Sequence, residues 1–142
     1  MEYFIPPIKA ARTHSSFIKQ ISPVINKNKY YTACTGKEGI WLCRLRLGLS
    51  ALNFHRYTYQ LINNPFCPHC PNTQETNSHY FFVCPSYSIA RQTLLNELRD
   101  IGIDTTNKTQ LLTVILHGSS NTSIAEILPI IFNYLKISNR FK

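Results

Sequence analysis

The sequence predicts a mostly α fold, in which a short cysteine-containing loop separates amphipathic helices. Two observations support this prediction. Apolar residues recur at helical spacing on both sides of the loop, whereas residues 67–84 are poor in aliphatic side chains and contain most of the 5 cysteines. The hydrophobic fraction of 44% is ordinary for a globular chain, so a core can form around the helices.

Residues 1–35 form a basic and partly irregular N-terminal segment in this prediction. Pro6, Pro7 and Pro23 interrupt any long helix there. Aromatic side chains are interspersed among its lysines, and such a mixture can hold a single nucleic-acid strand by charge and stacking. The alternative, a connector whose aromatic side chains pack on a neighbouring element, is favoured because of the prolines.

The first predicted helix covers residues 37–47. Trp41 and Leu45 belong to its apolar stripe, and Gly48 ends the pattern.

A second helix is predicted over residues 51–62, where apolar side chains again recur at helical spacing. Ser50 can cap its N-terminus, and Pro65 follows its end. His55 lies on this helix, and two interpretations of it stay open: a partly buried packing residue or a contact to phosphate.

The loop after this helix carries Cys67, Cys70, His79 and Cys84 with the spacing C-x2-C-x8-H-x4-C. Three thiolates and one imidazole at these intervals can close a tetrahedron around zinc, with about 2.3 Å between the metal and each sulfur. Such a zinc would be structural, held in a zinc-knuckle-like Cys3His loop between helices, because all four ligands come from the protein. His69 could compete, but it would place three ligands among four consecutive residues.

Other uses of the cysteines are disfavoured. Free cysteines can pack as small hydrophobic residues, but a disulfide pair does not suit a cysteine count of 5 without a secretory signal. Cys34 and Cys43 lie outside the metal pattern and are predicted to be buried free thiols. A catalytic zinc with Glu75 as its base would need an open coordination position, which four protein ligands do not leave.

The helix predicted after the loop covers residues 86–101, begins after Pro85 and ends at Gly102. It is expected to pack on the second helix, with the metal loop bridging the two. Arg91 lies within its periodic stripe.

Two further helices complete the prediction, over residues 109–117 and 124–138. Ser123 and Glu126 form a capping-box pattern at the start of the last helix, and Pro129 is expected to kink it. The chain therefore divides into a basic N-terminal segment, a helical zinc-binding module and a C-terminal helical extension, at residues 1–35, 36–102 and 103–142.

The formal net charge is +8, from 15 Lys and Arg against 7 Asp and Glu. This balance suits a polyanionic partner such as RNA or DNA, although a basic surface can also serve only solubility. The predicted nucleic-acid contacts are four arginines: Arg44, Arg46, Arg56 and Arg91.

The aromatic residues before the last cysteine have two interpretations. Tyr80, Phe81 or Phe82 could stack on unpaired bases. Packing around the metal is favoured for at least one of Phe81 and Phe82, because the loop otherwise lacks apolar cover.

No apolar run approaches the roughly 20 residues that a membrane span needs, and the start of the chain lacks the features of a signal peptide. We therefore expect no membrane partner and a reducing compartment, the cytoplasm or the nucleus.

Five short motifs follow one another between residues 44 and 87: RLRLG, LNxH, CPxC, ETxxH and CPxY. Their order and separations resemble the region behind the reverse transcriptase core in non-LTR (LINE-type) retrotransposon polyproteins. ILHG at residues 115–118 and YLKISNRF at residues 134–141 are similar to the closing part of such polyproteins. Pro71 departs from the family pattern, which often has glycine at this position.

The resemblance implies a zinc-binding tail, with Cys67, Cys70, His79 and Cys84 as ligands, that helps a reverse transcriptase hold RNA or target DNA. No Tyr-x-Asp-Asp box or other polymerase motif is present, so we expect no enzymatic activity; RNA-directed DNA polymerisation would belong to the parent protein. The alternatives are a protein-interaction module that docks on a polymerase partner and a decayed retroelement fragment without activity.

Overall fold

The computed structural model describes residues 36–119 and 123–141. The predicted N-terminal segment and Cys34 lie outside these residues. The described chain is mostly helical, with the Cys3His loop between helices, so the predicted fold class is confirmed. In chain order the elements are α1 (Gly36–Leu47), α2 (Asn53–Thr58), β1 (Phe66–Cys67), β2 (Cys70–Gln74), a π-helical turn (His79–Val83), a 3₁₀ turn (Pro85–Tyr87), α3 (Ser88–Asp100), α4 (Lys108–His117) and α5 (Ile124–Ile137).

Helix α2 is shorter than predicted. It ends at Thr58 because the following residues form a turn in which Gln60 has a φ of 63°, and the N–H of Leu61 donates to the carbonyl of Arg56 at 2.9 Å. A left-handed conformation at a residue other than glycine has no strong sequence signal.

Ser50 does not cap α2 as predicted, because the capping position belongs to Leu52. The Ser50 hydroxyl instead accepts from the N–H of Leu52 at 3.1 Å, and its oxygen lies 2.7 Å from Nδ1 of His55. Both side chains are buried. Of the two interpretations of His55, the structure therefore supports the packing residue.

Helix α3 packs mainly on α5, and α5 also packs on α1. The prediction that α3 packs mainly on the second helix is therefore wrong, because its main partner is α5. Helix α5 runs through the exposed Pro129 to Ile137. Ser123 precedes α5, but its side chain makes no capping hydrogen bond, so the predicted capping box does not form.

A single cluster of buried side chains extends from Trp41 in α1 to Phe141 after α5. The ring of Tyr80, in the π-helical turn, lies at its centre, with ring centroids 4.9 Å from Phe81, 5.2 Å from Tyr134 and 5.3 Å from Phe141. The Tyr134 hydroxyl donates to the carbonyl of Tyr80 at 2.6 Å. The turn that carries His79 is thus part of the core rather than a peripheral loop.

Both predicted segments, residues 36–102 and 103–142, contribute side chains to this core; their boundary as functional units stays a prediction. None of the helices in the described parts of the chain combines the length and the apolarity that crossing a bilayer requires.

His117 at the end of α4 gives the fold an acid-sensitive contact. Burial, together with the nearby Arg46 guanidinium, lowers the pKa of His117 from 6.5 to about 4. The folded protein therefore favours the neutral imidazole, and the unfolded chain binds the proton more strongly once the pH falls below 6.5. Above pH 6.5 His117 therefore does not lower the free energy of unfolding. Below pH 6.5 it lowers this free energy increasingly as the pH falls towards 4.

We expect His117→Gln to remove this penalty. Between pH 7.5 and pH 5 the wild type should lose about 2 kcal/mol more unfolding free energy than the variant, as one group with this shift would contribute. Urea unfolding at both pH values measures the difference. His69→Gln, at an exposed histidine, is the control and should follow the wild type. Parallel pH profiles for wild type and His117→Gln would contradict the assignment.

Candidate metal centre

The structure brings the four predicted ligands together. The ligand atoms of Cys67, Cys70, His79 and Cys84 all lie within 4.8 Å of one another. The sulfurs of Cys67 and Cys70 are each 3.8 Å from the sulfur of Cys84. Two sulfurs bound tetrahedrally to zinc are separated by about 3.8 Å, whereas a disulfide bond is about 2.0 Å long. The arrangement fits a metal ion and not a disulfide.

A tight hairpin positions the first two sulfurs. Strands β1 and β2 are antiparallel, with Cys67 and Cys70 as paired residues at the turn. The backbone N–H of His69 donates to the sulfur of Cys67 at 3.4 Å. Such a bond stabilises a thiolate, so the hairpin both places the sulfur and favours its metal-binding form.

The π-helical turn positions the other two ligands. The N–H of Cys84 donates to the carbonyl of His79 at 2.9 Å, five residues earlier, which is the bond that defines a π turn. The Thr76 hydroxyl accepts from the N–H of His79 at 3.2 Å at the start of the turn. The H-x4-C spacing in the sequence therefore corresponds to one closed π turn with a ligand at each end.

One nitrogen of the His79 imidazole is placed to bind a metal ion. Its side chain is 5% exposed, and Nε2 is buried without a hydrogen-bond partner among the described residues. Burial lowers the pKa of His79, so the ring is held in the neutral form that binds metals. A buried polar atom of this kind is costly unless it is satisfied.

The thiols are in an environment that resists ionisation without a cation. Burial raises the pKa of Cys67 to about 12, and burial also raises the pKa of Cys70. A bound divalent ion reverses this preference, because the thiolate is the form that coordinates it. The four residues could therefore hold a metal ion.

Arg91 supports this site from α3. Its Nε donates to the carbonyl of Phe81 at 2.9 Å, and Nη2 donates to the carbonyl of Cys84. A side chain that holds the carbonyl of a ligand residue fixes the position of that ligand.

The other three predicted nucleic-acid contacts differ in exposure. Arg46 is partly buried and its Nε donates to the carbonyl of Leu116, whereas Arg44 and Arg56 are exposed. A contact to nucleic acid stays a prediction for all four arginines, and the exposed pair is the better placed for it.

A buried ion pair lies next to the metal loop, and no local pattern in the sequence predicts it. Arg140 donates from Nε to one oxygen of Glu75 at 2.7 Å and from Nη2 to the other at 2.8 Å. Glu75 is 0% exposed and also accepts from the N–H of Asn53 at 2.7 Å. Glu75 therefore joins α2, the hairpin and the C-terminal residues. Because its carboxylate is enclosed and paired, it does not serve as a base open to a substrate.

The aromatic residues of the turn are accounted for in part. Phe81 is fully buried, as predicted for at least one of the pair, and Tyr80 is buried as well. Phe82 is half-buried, with Nζ of Lys108 5.9 Å from its ring centroid.

Cys43 is exposed, so the prediction that it is a buried thiol is wrong. It lies on the outer side of α1.

Comparison of the chain with protein-family models, with curated proteins and with solved structures finds no match.

Proposed function

We propose that this chain is a zinc-dependent nucleic-acid-binding module, for RNA or DNA, without polymerase activity of its own. The observation that carries the proposal is the buried Cys3His cluster in a protein with a net charge of +8. Three thiolates and an imidazole suit zinc among the common biological metals, and four protein ligands give it a structural role.

The charge of the chain supports a polyanionic partner. Three thiolates and one Zn²⁺ together change the net charge of +8 by only −1, so the metal-bound protein stays basic. A basic protein attracts phosphate backbones by releasing their counterions, irrespective of nucleotide sequence. Arg44 and Arg56 offer exposed guanidinium groups for such contacts.

The resemblance to the tail of a non-LTR retrotransposon reverse transcriptase is part of the proposal. Its motifs, far apart in the sequence, contact one another: Glu75 of ETxxH binds Arg140 of the closing segment, and Arg46 of RLRLG binds Leu116 of ILHG. These contacts place the separate motifs in one folded unit.

A reverse transcriptase core in the parent protein is a second proposed partner. The proposed compartment is the cytoplasm or the nucleus, where thiols stay reduced and free to bind zinc.

A protein-interaction module is the other candidate function. Large apolar side chains are exposed on both sides of Cys84, with Val83 57% and Ile89 82% exposed. Exposed apolar side chains of this size can dock against a polymerase partner. A decayed retroelement fragment without activity is the remaining alternative.

A salt titration separates these functions. We expect the zinc-loaded protein to bind single-stranded RNA or duplex DNA, with log K falling linearly in log salt by about 0.7 to 0.9 per phosphate contact. Fluorescence anisotropy at increasing salt concentrations measures this slope, and chelated protein is the control. Absence of binding at low salt would contradict nucleic-acid binding. Binding of a polymerase partner that does not weaken with salt would favour docking.

A further inference from the structure

A cleft of about 600 Å³ lies directly beside the metal loop. We call it the knuckle cleft. Its walls come from α2, the turn of the hairpin, the 3₁₀ turn and the C-terminal residues, and they include Arg56, His69, Tyr87 and Arg140. Its volume lies in the range of small-ligand sites, roughly 300–1,000 Å³.

The polar groups of the knuckle cleft suit a phosphate. Arg56 is exposed, and Arg140 has a side chain that is 16% exposed. Glu75 holds two nitrogens of Arg140, while Nη1 has no hydrogen-bond partner within the described parts of the chain. Among the described residues that line the cleft there is no carboxylate. A fixed guanidinium with a remaining donor is well suited to phosphate oxygens.

The rings of the knuckle cleft suit a base. His69 is exposed, and its ring lies nearly perpendicular to the ring of Tyr87, with centroids 5.8 Å apart and an interplanar angle of 87°. Tyr87 is only 6% exposed, and its hydroxyl is also buried, without a hydrogen-bond partner among the described side chains and backbone. The exposed His69 ring therefore offers a stacking surface for a base, and the buried Tyr87 ring supports it from the cleft wall.

The net positive charge around the knuckle cleft is small, so long-range attraction of phosphate contributes little to binding there. A Cys3His zinc site carries one net negative charge, and Glu75 neutralises Arg140. Arg56 is thus the main source of positive charge in the cleft. Ring contacts and hydrogen bonds are expected to supply more of the affinity there than charge does.

We propose that the knuckle cleft binds one unpaired nucleotide of a single-stranded nucleic acid, with its phosphate at Arg56 and Arg140 and its base against His69. This inference rests on the proposed function and gives it a binding site. A paired base does not reach such a site, because its edges and faces are occupied within the duplex. The cleft therefore selects single strands.

The test uses the zinc-loaded full chain and a fluorescein-labelled single-stranded RNA. We expect His69→Ala to weaken binding about 10-fold, as loss of one stacked base would. Arg56→Gln should reduce the salt slope by about the contribution of one phosphate contact. Binding to a matched duplex should be insensitive to His69→Ala.

Lys136→Gln is the matched control, because it removes an exposed positive charge that does not line the knuckle cleft. Metal content is measured for every variant; His69→Ala keeps the backbone N–H that Cys67 accepts. If His69→Ala binds RNA like the wild type and Lys136→Gln weakens binding as much as Arg56→Gln, the RNA contacts are spread over the basic surface. The cleft is then overturned, and the proposed function stands.

A second arm tests the cleft without a long polymer. Titration with a nucleoside monophosphate should shift the NMR signals of His69 and Tyr87, whereas inorganic phosphate alone should leave the ring signals in place. Shifts with the mononucleotide but no RNA binding would uphold the cleft and refute the proposed function. Equal shifts with inorganic phosphate, or none with either, would overturn the cleft.

Discussion

Replacement of Cys84 by serine is expected to abolish stoichiometric zinc binding and to unfold most of the protein. Cys84 is fully buried, and its sulfur lies 3.8 Å from both other sulfurs. It also ends the π-helical turn that places Tyr80 and Phe81 in the core. A structural zinc contributes about 10–16 kcal/mol in small peptides, which matches or exceeds the roughly 5–15 kcal/mol that stabilises a whole domain.

Mass spectrometry of the purified protein and circular dichroism measure this effect. The wild type should contain one zinc per chain and lose its cooperative thermal transition after a chelator is added. Cys84→Ser should contain no stoichiometric metal and show no such transition. His79→Gln should lose metal as well, since it removes the imidazole whose Nε2 has no other partner among the described residues.

Cys43→Ser is the matched control for these variants. Cys43 is exposed and lies outside the cluster. Its replacement should leave the zinc content unchanged and change the unfolding free energy by less than about 0.5 kcal/mol. If Cys43→Ser lost as much metal as Cys84→Ser, the ligand assignment would be refuted.

Arg140→Met is expected to destabilise the zinc-loaded protein by about 3–5 kcal/mol, the usual cost of removing one member of a buried ion pair. The methionine leaves Glu75 as a buried carboxylate without its counter-ion, and it also removes the bond from Nη2 to the carbonyl of Ala51 at 2.9 Å. Urea unfolding in the presence of excess zinc measures the change.

The double variant Glu75→Gln/Arg140→Met distinguishes the ion pair from simple packing. A glutamine in place of Glu75 is neutral, so the double variant should recover part of the stability that Arg140→Met loses. Arg44→Met, at an exposed position, should be close to the wild type. A double variant that is less stable than either single variant would show that the unpaired charge of Glu75 is not the main cause of the destabilisation by Arg140→Met.

The metal-ligand set is the part of the site that sequence spacing predicts best. Cys67 and Cys70 occupy paired positions of one tight hairpin, and His79 and Cys84 occupy the ends of one π turn. Hydrogen bonds between residues close in sequence close both units, so the sequence separation of each ligand pair determines how far apart the two ligands lie. His69 is near in sequence but exposed, with its ring against Tyr87.

Most helices could be predicted from the sequence, but the end of α2 could not. Helices α1, α4 and α5 start and end within one residue of their predicted bounds. Helix α2 departs from its prediction because Gln60 adopts a left-handed conformation that no glycine marks. Apolar periodicity depends on the whole helix, whereas its end depends on the conformation of one residue.

The sequence by itself determined that the chain is mostly helical, where its main helices lie, and which four residues could hold a metal, because each depends on residues close together in the chain. Only the tertiary structure decided that α3 packs on α5, that Tyr80 lies at the centre of the core, and that Glu75 pairs with Arg140. The last two residues are 65 positions apart. No local pattern encodes such a contact, because its partners are brought together only when the helices between them have packed.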